Sequence, residues 1–323
     1  MALLDDILRE AGFSDSAIAE VKNGKLHYGG SLDAASDKEL SVKLAFHVDA
    51  KLKNAKGIFL DSPKKKEYDP TVESLGMIAE DGGEGSLEDF RGIKLTNEKV
   101  MDKLYQKAAP GSDLNLSKEE IATFKKCKNH EDVENCLRQV LLDRFRAYKK
   151  NGLAGIKPYA RSKKEFSPGD ELKSQIEAGR MLPKRSPIFN KYALEYPNKK
   201  PEGVEESFFW VNSIIDDKPT IALVHRMGMP QDGGFVYMER HFYLSRSHNC
   251  LQGIGAALPL DGSSAVVLYA TRTSTDQVSG FGSSAKRAIG NKVMGGRMAE
   301  NFERARKVLG AAATANDMNK LKL

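Results

Sequence analysis

From Ser207 to Ser274 the chain repeats one pattern: an extended run, a tight turn, another extended run. The runs read SFFWVNSII, TIALVHRMGM, FVYMERHFYLSRS, CLQGIGAALPL and AVVLYATRTS. DDKP, PQDGG and DGSS stand between them, and Gly, Asp and Pro are the residues that supply turn geometry. Connections this short join antiparallel neighbours. The pattern therefore predicts an antiparallel meander and argues against the alternating strand and helix of a Rossmann-type parallel sheet.

A helical pattern follows. In SSAKRAIGNKVMGGRMAENFERARKVLG, the residues Ala285, Ile289, Met294, Met298, Phe302, Ala305 and Leu309 recur at helical steps. Gly290, Gly295 and Gly296 each cost about 1 kcal/mol against Ala inside a helix, so three together predict a kink or a close approach to the sheet. Residues 311–323 read as a frayed tail.

Before the meander, two short helices are expected at 3–11 and 15–22, the second capped by Ser14. NGKLHYGGSL reads as a turn and a strand. ELSVKLAFHVDA alternates over Val42, Leu44, Phe46 and Val48 as a half-buried strand, and AKLKNAKGIFLD has helical spacing at Leu52, Ala55, Ile58 and Phe59. Residues 61–206 then read as a helical insert. Ser117 and Glu120 form a capping-box pattern, and HEDVENCLRQVLLDRFRAYKK is an amphipathic helix with acids in front and bases behind. Lys64, Lys65 and Lys66 read as a solvated loop. AEDGGEGSLEDF is Gly-rich but lacks the Lys-Ser/Thr ending of a phosphate-binding loop.

The 323 residues are 40% hydrophobic, enough for a large core, and 29% charged. Lys and Arg outnumber Asp and Glu by 50 to 44, a net charge of +6. That excess favours acidic surfaces weakly, including peripheral contact with an anionic membrane. It is not the footprint of a dedicated nucleic-acid binder, and no nucleic-acid partner is expected. No run reaches the roughly 18 apolar residues of a membrane span. The opening MALLDDILREAGF is an amphipathic helix without a basic leader region. The expected location is cytoplasmic if Met1 is the native start, and exported if a signal peptide has been removed.

Three cysteines, Cys127, Cys136 and Cys250, exclude a disulfide framework. CKNHEDVENC sets His130 between two of them but lacks the four close ligands of a zinc site. No metal and no cofactor are expected. His248 and Cys250 lie close in sequence, which does not by itself make a nucleophile and base.

The chemistry concentrates in FVYMERHFYLSRSHN. Strict alternation puts Val236, Met238, Arg240, Phe242 and Leu244 on one face, and Phe235, Tyr237, Glu239, His241, Tyr243 and Ser245 on the other. An aromatic face with sparse polar tips is how ligand cavities are built. It is also how a half-exposed surface can look. Tyr237, Glu239, His241 and Tyr243 are candidate ligand-binding residues, joined by Trp210, Tyr269 and Arg272. Arg272 shares a face with Val266, Leu268 and Ala270, so it must pair or reach water; a structural salt bridge, Glu239 and a ligand anion are the alternatives. No residue is assigned a catalytic role. As an alternative, His241 and Glu239 would act as an acid–base pair with Arg272 holding an anion. As a third, the insert would present helices to a protein partner.

An early strand and helix, later helices, long antiparallel strands, and a long C-terminal helix behind the Gly-rich SGFGSSAKRAIG together resemble the START-like helix-grip (SRPBCC) superfamily. The chain also resembles a set of bacterial proteins sharing FFW, RHFY and TRT…GFG…KR, some with signal peptides. The resemblance implies an α+β fold, a curved antiparallel sheet gripping a long C-terminal helix. Residues 1–310 would form one such domain with the insert at about 61–206. It also implies an apolar cavity between sheet and helix holding a hydrophobic or amphipathic small molecule such as a lipid. Superfamily functions range from lipid transfer through hormone and polyketide binding to cyclase and oxygenase activity, so the fold does not choose among them. The sequence leaves the oligomeric state open.

Overall fold

The computed structural model describes residues 2–52, 65–280 and 282–320. The helix expected over Leu52–Phe59 lies, apart from Leu52, outside the described residues, and so does Lys64.

The meander folds as expected. Strands β4 (Glu205–Ile215), β5 (Lys218–Gln231), β6 (Gly234–Leu244), β7 (Cys250–Pro259) and β8 (Ala265–Ser274) are consecutive antiparallel neighbours. Two hairpins turn on two residues each. Asp216 and Asp217 both have φ above 0, as do Asp232 and Gly233, the pairing of angles that matches the twist of flanking strands. Three further strands complete the sheet: β1 (Leu26–Tyr28), β2 (Glu39–Val48) and β3 (Val72–Ile78). The order is β1-β2-β8-β7-β6-β5-β4-β3, antiparallel throughout.

β3 falls inside the region read as a helical insert, so that region also supplies an edge strand. Its pattern is hidden by a register shift between Val72 and Ser74 and by Gly76, whose place beside the sheet is taken by the Trp210 indole. The remainder is helical: α3 (Lys65–Tyr68), α4 (Glu98–Gln106), α5 (Lys118–Phe124), α6 (His130–Asn151), α7 (Pro168–Glu177), α8 (Met181–Arg185) and α9 (Pro187–Glu195). The capping box opens α5: the Ser117 hydroxyl accepts from the Glu120 amide, and the Glu120 carboxylate accepts from the Ser117 amide.

Apart from α3, these helices cover most of one face of the sheet. Phe90, Leu141, Phe145, Tyr148, Phe189, Trp210, Met238 and Phe242 are buried together there in the largest core cluster. Each such side chain contributes about 1.5–3 kcal/mol on burial. The N-terminal helices α1 (Ala2–Glu10) and α2 (Asp15–Lys22) cover the rest of that face, packing Leu4, Leu8 and Phe13 with Ala45 and Val266. Ser14 caps α2 as expected. Nine of the ten residues of β2 are buried, so the strand is covered on both faces and not half-buried.

The other face belongs to α10 (Ser283–Lys320), which continues past residue 310 to Lys320. Two of its glycines serve close approach, while a Cβ at Gly296 would meet nothing within 4 Å. A Cβ at Gly290 would stand 2.7 Å from Leu40 Cδ2, and one at Gly295 would stand 2.6 Å from the Tyr28 ring. Ala305, Met298 and Phe302 then meet Leu44, Phe46 and Tyr269 beneath the helix. A long C-terminal helix held across an antiparallel sheet is the expected α+β helix-grip arrangement.

Candidate functional site

Between the sheet and α10 lies a cavity of about 490 Å³. Val211, Ala222, Leu244 and Leu251 line it from the sheet, and Val293, Met294, Met298 and Phe302 line it from the helix. Tyr237 and Tyr269 form part of its floor, their rings 6.1 Å apart and 17° from parallel. They can lie that low because β7 carries Gly255 and Gly253. A Cβ at either would stand about 2.2 or 2.1 Å from the Tyr237 or Tyr269 phenolic oxygen, respectively. Phe302 closes edge-on over Tyr269 at 5.0 Å.

The lining also carries charge: Asp69, an exposed Asp216–Arg297 pair, and a buried cluster around Glu239. Arg226 and Glu239 are direct partners across β5 and β6. Arg226 Nε donates to Glu239 Oε2 at 2.6 Å, the His241 ring Nε2 lies 2.7 Å from Oε1, and Lys65 Nζ donates to Oε1 at 3.3 Å. The Arg226 guanidinium lies 4.7 Å from the Phe209 ring centroid, a cation–π contact. Burial alone would raise the Glu239 carboxyl, but Arg226, Lys65 and His241 outweigh it and hold the group well below the usual carboxylate range. Burial pushes His241 down, with Glu239 opposing, so the ring is neutral near pH 7. Two cations face the Glu239 carboxylate, and Asp69 stands near Lys65. Arg226 Nη1 and His241 Nδ1 have no hydrogen-bond partner among the described residues.

Of the seven candidate binding residues, the fold gathers Tyr237, Glu239, His241 and Tyr269 on this cavity. Tyr243, Trp210 and Arg272 stand on the opposite face. For Tyr243 the reason is a bulge. Tyr243 pairs with Leu223 while His241 pairs with the next residue, Val224, so Phe242 is an extra residue and alternation restarts beyond it. Tyr243 therefore packs under the Arg144 guanidinium, 4.3 Å away, and Leu244 faces the cavity. Trp210 donates Nε1–H to the Asp89 carbonyl at 2.7 Å, deep in the insert core. Arg272 keeps the face it shares with Leu268 and Ala270, pairs with Glu39 and donates to the Asp33 carbonyl at 2.8 Å. The residue that neutralises Glu239 is Arg226, which the sequence reading passed over. Its signal was the one noticed at Arg272: a single Arg within an apolar strand.

His248 borders the cavity, whereas Cys250 is buried in the core on the other side, where burial raises its thiol well above the ordinary range. Cys127 and Cys136 lie with their Sγ atoms 2.9 Å apart, and His130 turns instead to Asp102 at 2.8 Å. No group of three or more metal-ligating side chains is assembled among the described residues. No described helix is long and apolar enough to cross a membrane.

The architecture is a helix grip: an eight-stranded antiparallel sheet, a long C-terminal helix across one face, further helices on the other. Among solved structures, human STARD10 is similar at 9% identity and a TM-score of 0.39, over 95% of this chain and 82% of that one. A START superfamily protein from Mycobacterium smegmatis is similar at 13% identity and a TM-score of 0.22, over 42% of this chain and 89% of that one. Ara h 8.0201 is similar at 10% identity and a TM-score of 0.16, over 41% and 85%. No family model and no curated protein matches the chain.

Proposed function

We propose that this protein binds a hydrophobic or amphipathic small molecule, such as a lipid, in the cavity beneath α10. The observation that carries the reading is the pairing of apolar stretches on both walls with a buried polar cluster that keeps two unfilled hydrogen-bonding atoms. Ligand sites combine these features: apolar walls provide affinity and a few polar points fix orientation. With Nε2–H given to Glu239, a neutral His241 offers Nδ1 as an acceptor, while Arg226 Nη1 offers a donor. A hydroxyl both accepts and donates, so a ligand with a hydroxyl-bearing head and an apolar body suits both atoms.

The His241–Glu239 contact also invites an acid–base reading. Against it, the carboxylate is held ionised by two cations and is a weak base. Arg272, the proposed anion holder, is on the other face. The insert, which could have presented helices to a partner, spends its apolar side chains on the sheet; its large exposed ones, Leu87, Val100 and Ile188, are on three different elements.

Native mass spectrometry and organic extraction of the purified protein test the proposal. A co-purifying amphipathic species, at least tenfold depleted in Val293→Trp, is the expected result. No bound species in the parent protein, together with no uptake of a fluorescent long-chain alcohol, refutes it.

A further inference from the structure

A second cavity, of about 390 Å³, lies on the opposite face of the sheet, independent of the site beneath α10. One wall is the end of α1, and the other is the turn from α7 into α8. On its floor Ile254, Ala256, Leu268 and Ala270 are only half-buried, although the strands that carry them are otherwise largely covered. The short side chains of Ala256 and Ala270 leave the space.

Two amides border this cavity. Gln175 on α7 is 0% exposed and Gln252 on β7 is 1% exposed. Neither Nε2 nor Oε1 of Gln175 has a partner among the described residues, and neither has Gln252 Nε2. Gln252 Oε1 is taken by Arg240 Nε at 3.1 Å, which fixes which end of that amide is left over. Buried amides without partners are rare and costly, and two on one cavity call for a shared explanation. Ionic recognition does not supply it. Arg272 is paired with Glu39, Arg185 with Glu10, and Lys43 donates to the Ala11 carbonyl at 2.5 Å. The other charged groups at the rim, Asp33, Arg180 and Asp232, are exposed to solvent. What remains inside is one amide donor–acceptor pair and one further N–H donor above an apolar floor.

We infer that this cavity is a second small-molecule site, selective for an uncharged, largely apolar compound with a carboxamide, lactam or imide edge. Such an edge accepts from one amide N–H while donating to the Gln175 carbonyl, and its apolar body lies on Ala256 and Ala270.

The test titrates benzamide into the ¹⁵N-labelled full chain and follows the side-chain amide signals of Gln175 and Gln252. Saturable shifts of both are expected, with toluene producing shifts at least tenfold smaller. Ala256→Trp, which fills this cavity, abolishes them; Val293→Trp, in the other cavity, leaves them intact. Gln175→Leu removes the amide at nearly constant volume and decides the matter should Ala256→Trp fail to fold. It is expected to raise the melting temperature without ligand and to weaken benzamide binding more than tenfold. Absence of shifts up to the solubility limit, equal shifts with toluene, or a lower melting temperature in Gln175→Leu overturns the inference.

Discussion

Arg226 and Glu239 face each other across two central strands and meet through Arg226 Nε and Glu239 Oε2 at 2.6 Å, with both side chains largely out of water. Glu239→Gln removes the charge and leaves Arg226 buried without a counter-ion. Breaking one side of such a pair costs about 3–5 kcal/mol, mostly through the stranded charge. Glu239→Gln is therefore expected to lose about 3 kcal/mol in urea unfolding, and Arg226→Met in the same chain is expected to recover at least half of it. Equal stability of the parent and Glu239→Gln would show that solvent reaches the pair.

His225 gives stability a pH dependence. It lies under the insert helices, with Nδ1 3.0 Å from the Tyr148 hydroxyl and Nε2 3.3 Å from Glu206. Burial lowers its pKa to about 4, with Glu206 opposing. The folded value is below the unfolded one, near 6.5. Between them the unfolded chain binds the extra proton, so the contribution is full above about pH 6.5 and lost as pH falls towards 4. His241, also lowered by burial, acts in the same direction. His130, raised chiefly by its hydrogen bond to Asp102, acts in the opposite one. The urea midpoint is expected to fall between pH 6.5 and 4, less steeply in His225→Gln. A midpoint that stays level over that range would count against a neutral buried His225.

How far the sequence reached depends on the element. The meander was legible because turn residues such as Asp232 and Gly233 act locally. The helix grip was legible in outline because Gly290 and Gly295 have no good reason to be in a helix unless something approaches closely. The faces of β6 were legible only as far as His241. A bulge is a relation between two strands, set by the pairing of Leu223 with Tyr243, and one strand's alternation cannot reveal it. β3 was missed for a similar reason: Trp210, remote in sequence, fills the place beside Gly76. The charge cluster needed two strands and α3 to come together around Glu239, and no spacing along the chain encodes that.

The α5 capping box separates two roles of one side chain. The Glu120 carboxylate accepts from the Ser117 amide and from Arg144 Nη2 at 2.6 Å, and both of the ion-pair side chains are buried. Gln at that position still serves a capping box but does not neutralise Arg144. Ser117→Ala is expected to cost about 1 kcal/mol. Glu120→Gln is expected to cost about 3 kcal/mol through the unpaired guanidinium. Urea unfolding of the two variants checks the order, and a reversed ranking would place the weight of this corner on the cap.

Gly255 is where the cavity floor is most exposed to a single change. A Cβ there would stand 2.2 Å from the Tyr237 hydroxyl and 2.3 Å from Cζ. Gly255→Ala must therefore lift the ring off β7 and towards the space below α10. Overpacking of this kind costs about 1–3 kcal/mol. Because the clash includes ring carbon as well as oxygen, Tyr237→Phe should not relieve it, whereas Tyr237→Leu should relieve part of it. A double-mutant cycle in urea measures this coupling directly. The lifted ring also enters the proposed ligand volume, so Gly255→Ala should reduce co-purifying ligand in native mass spectrometry. Full ligand occupancy in a destabilised Gly255→Ala would mean that the ring moves along the sheet and not into the cavity.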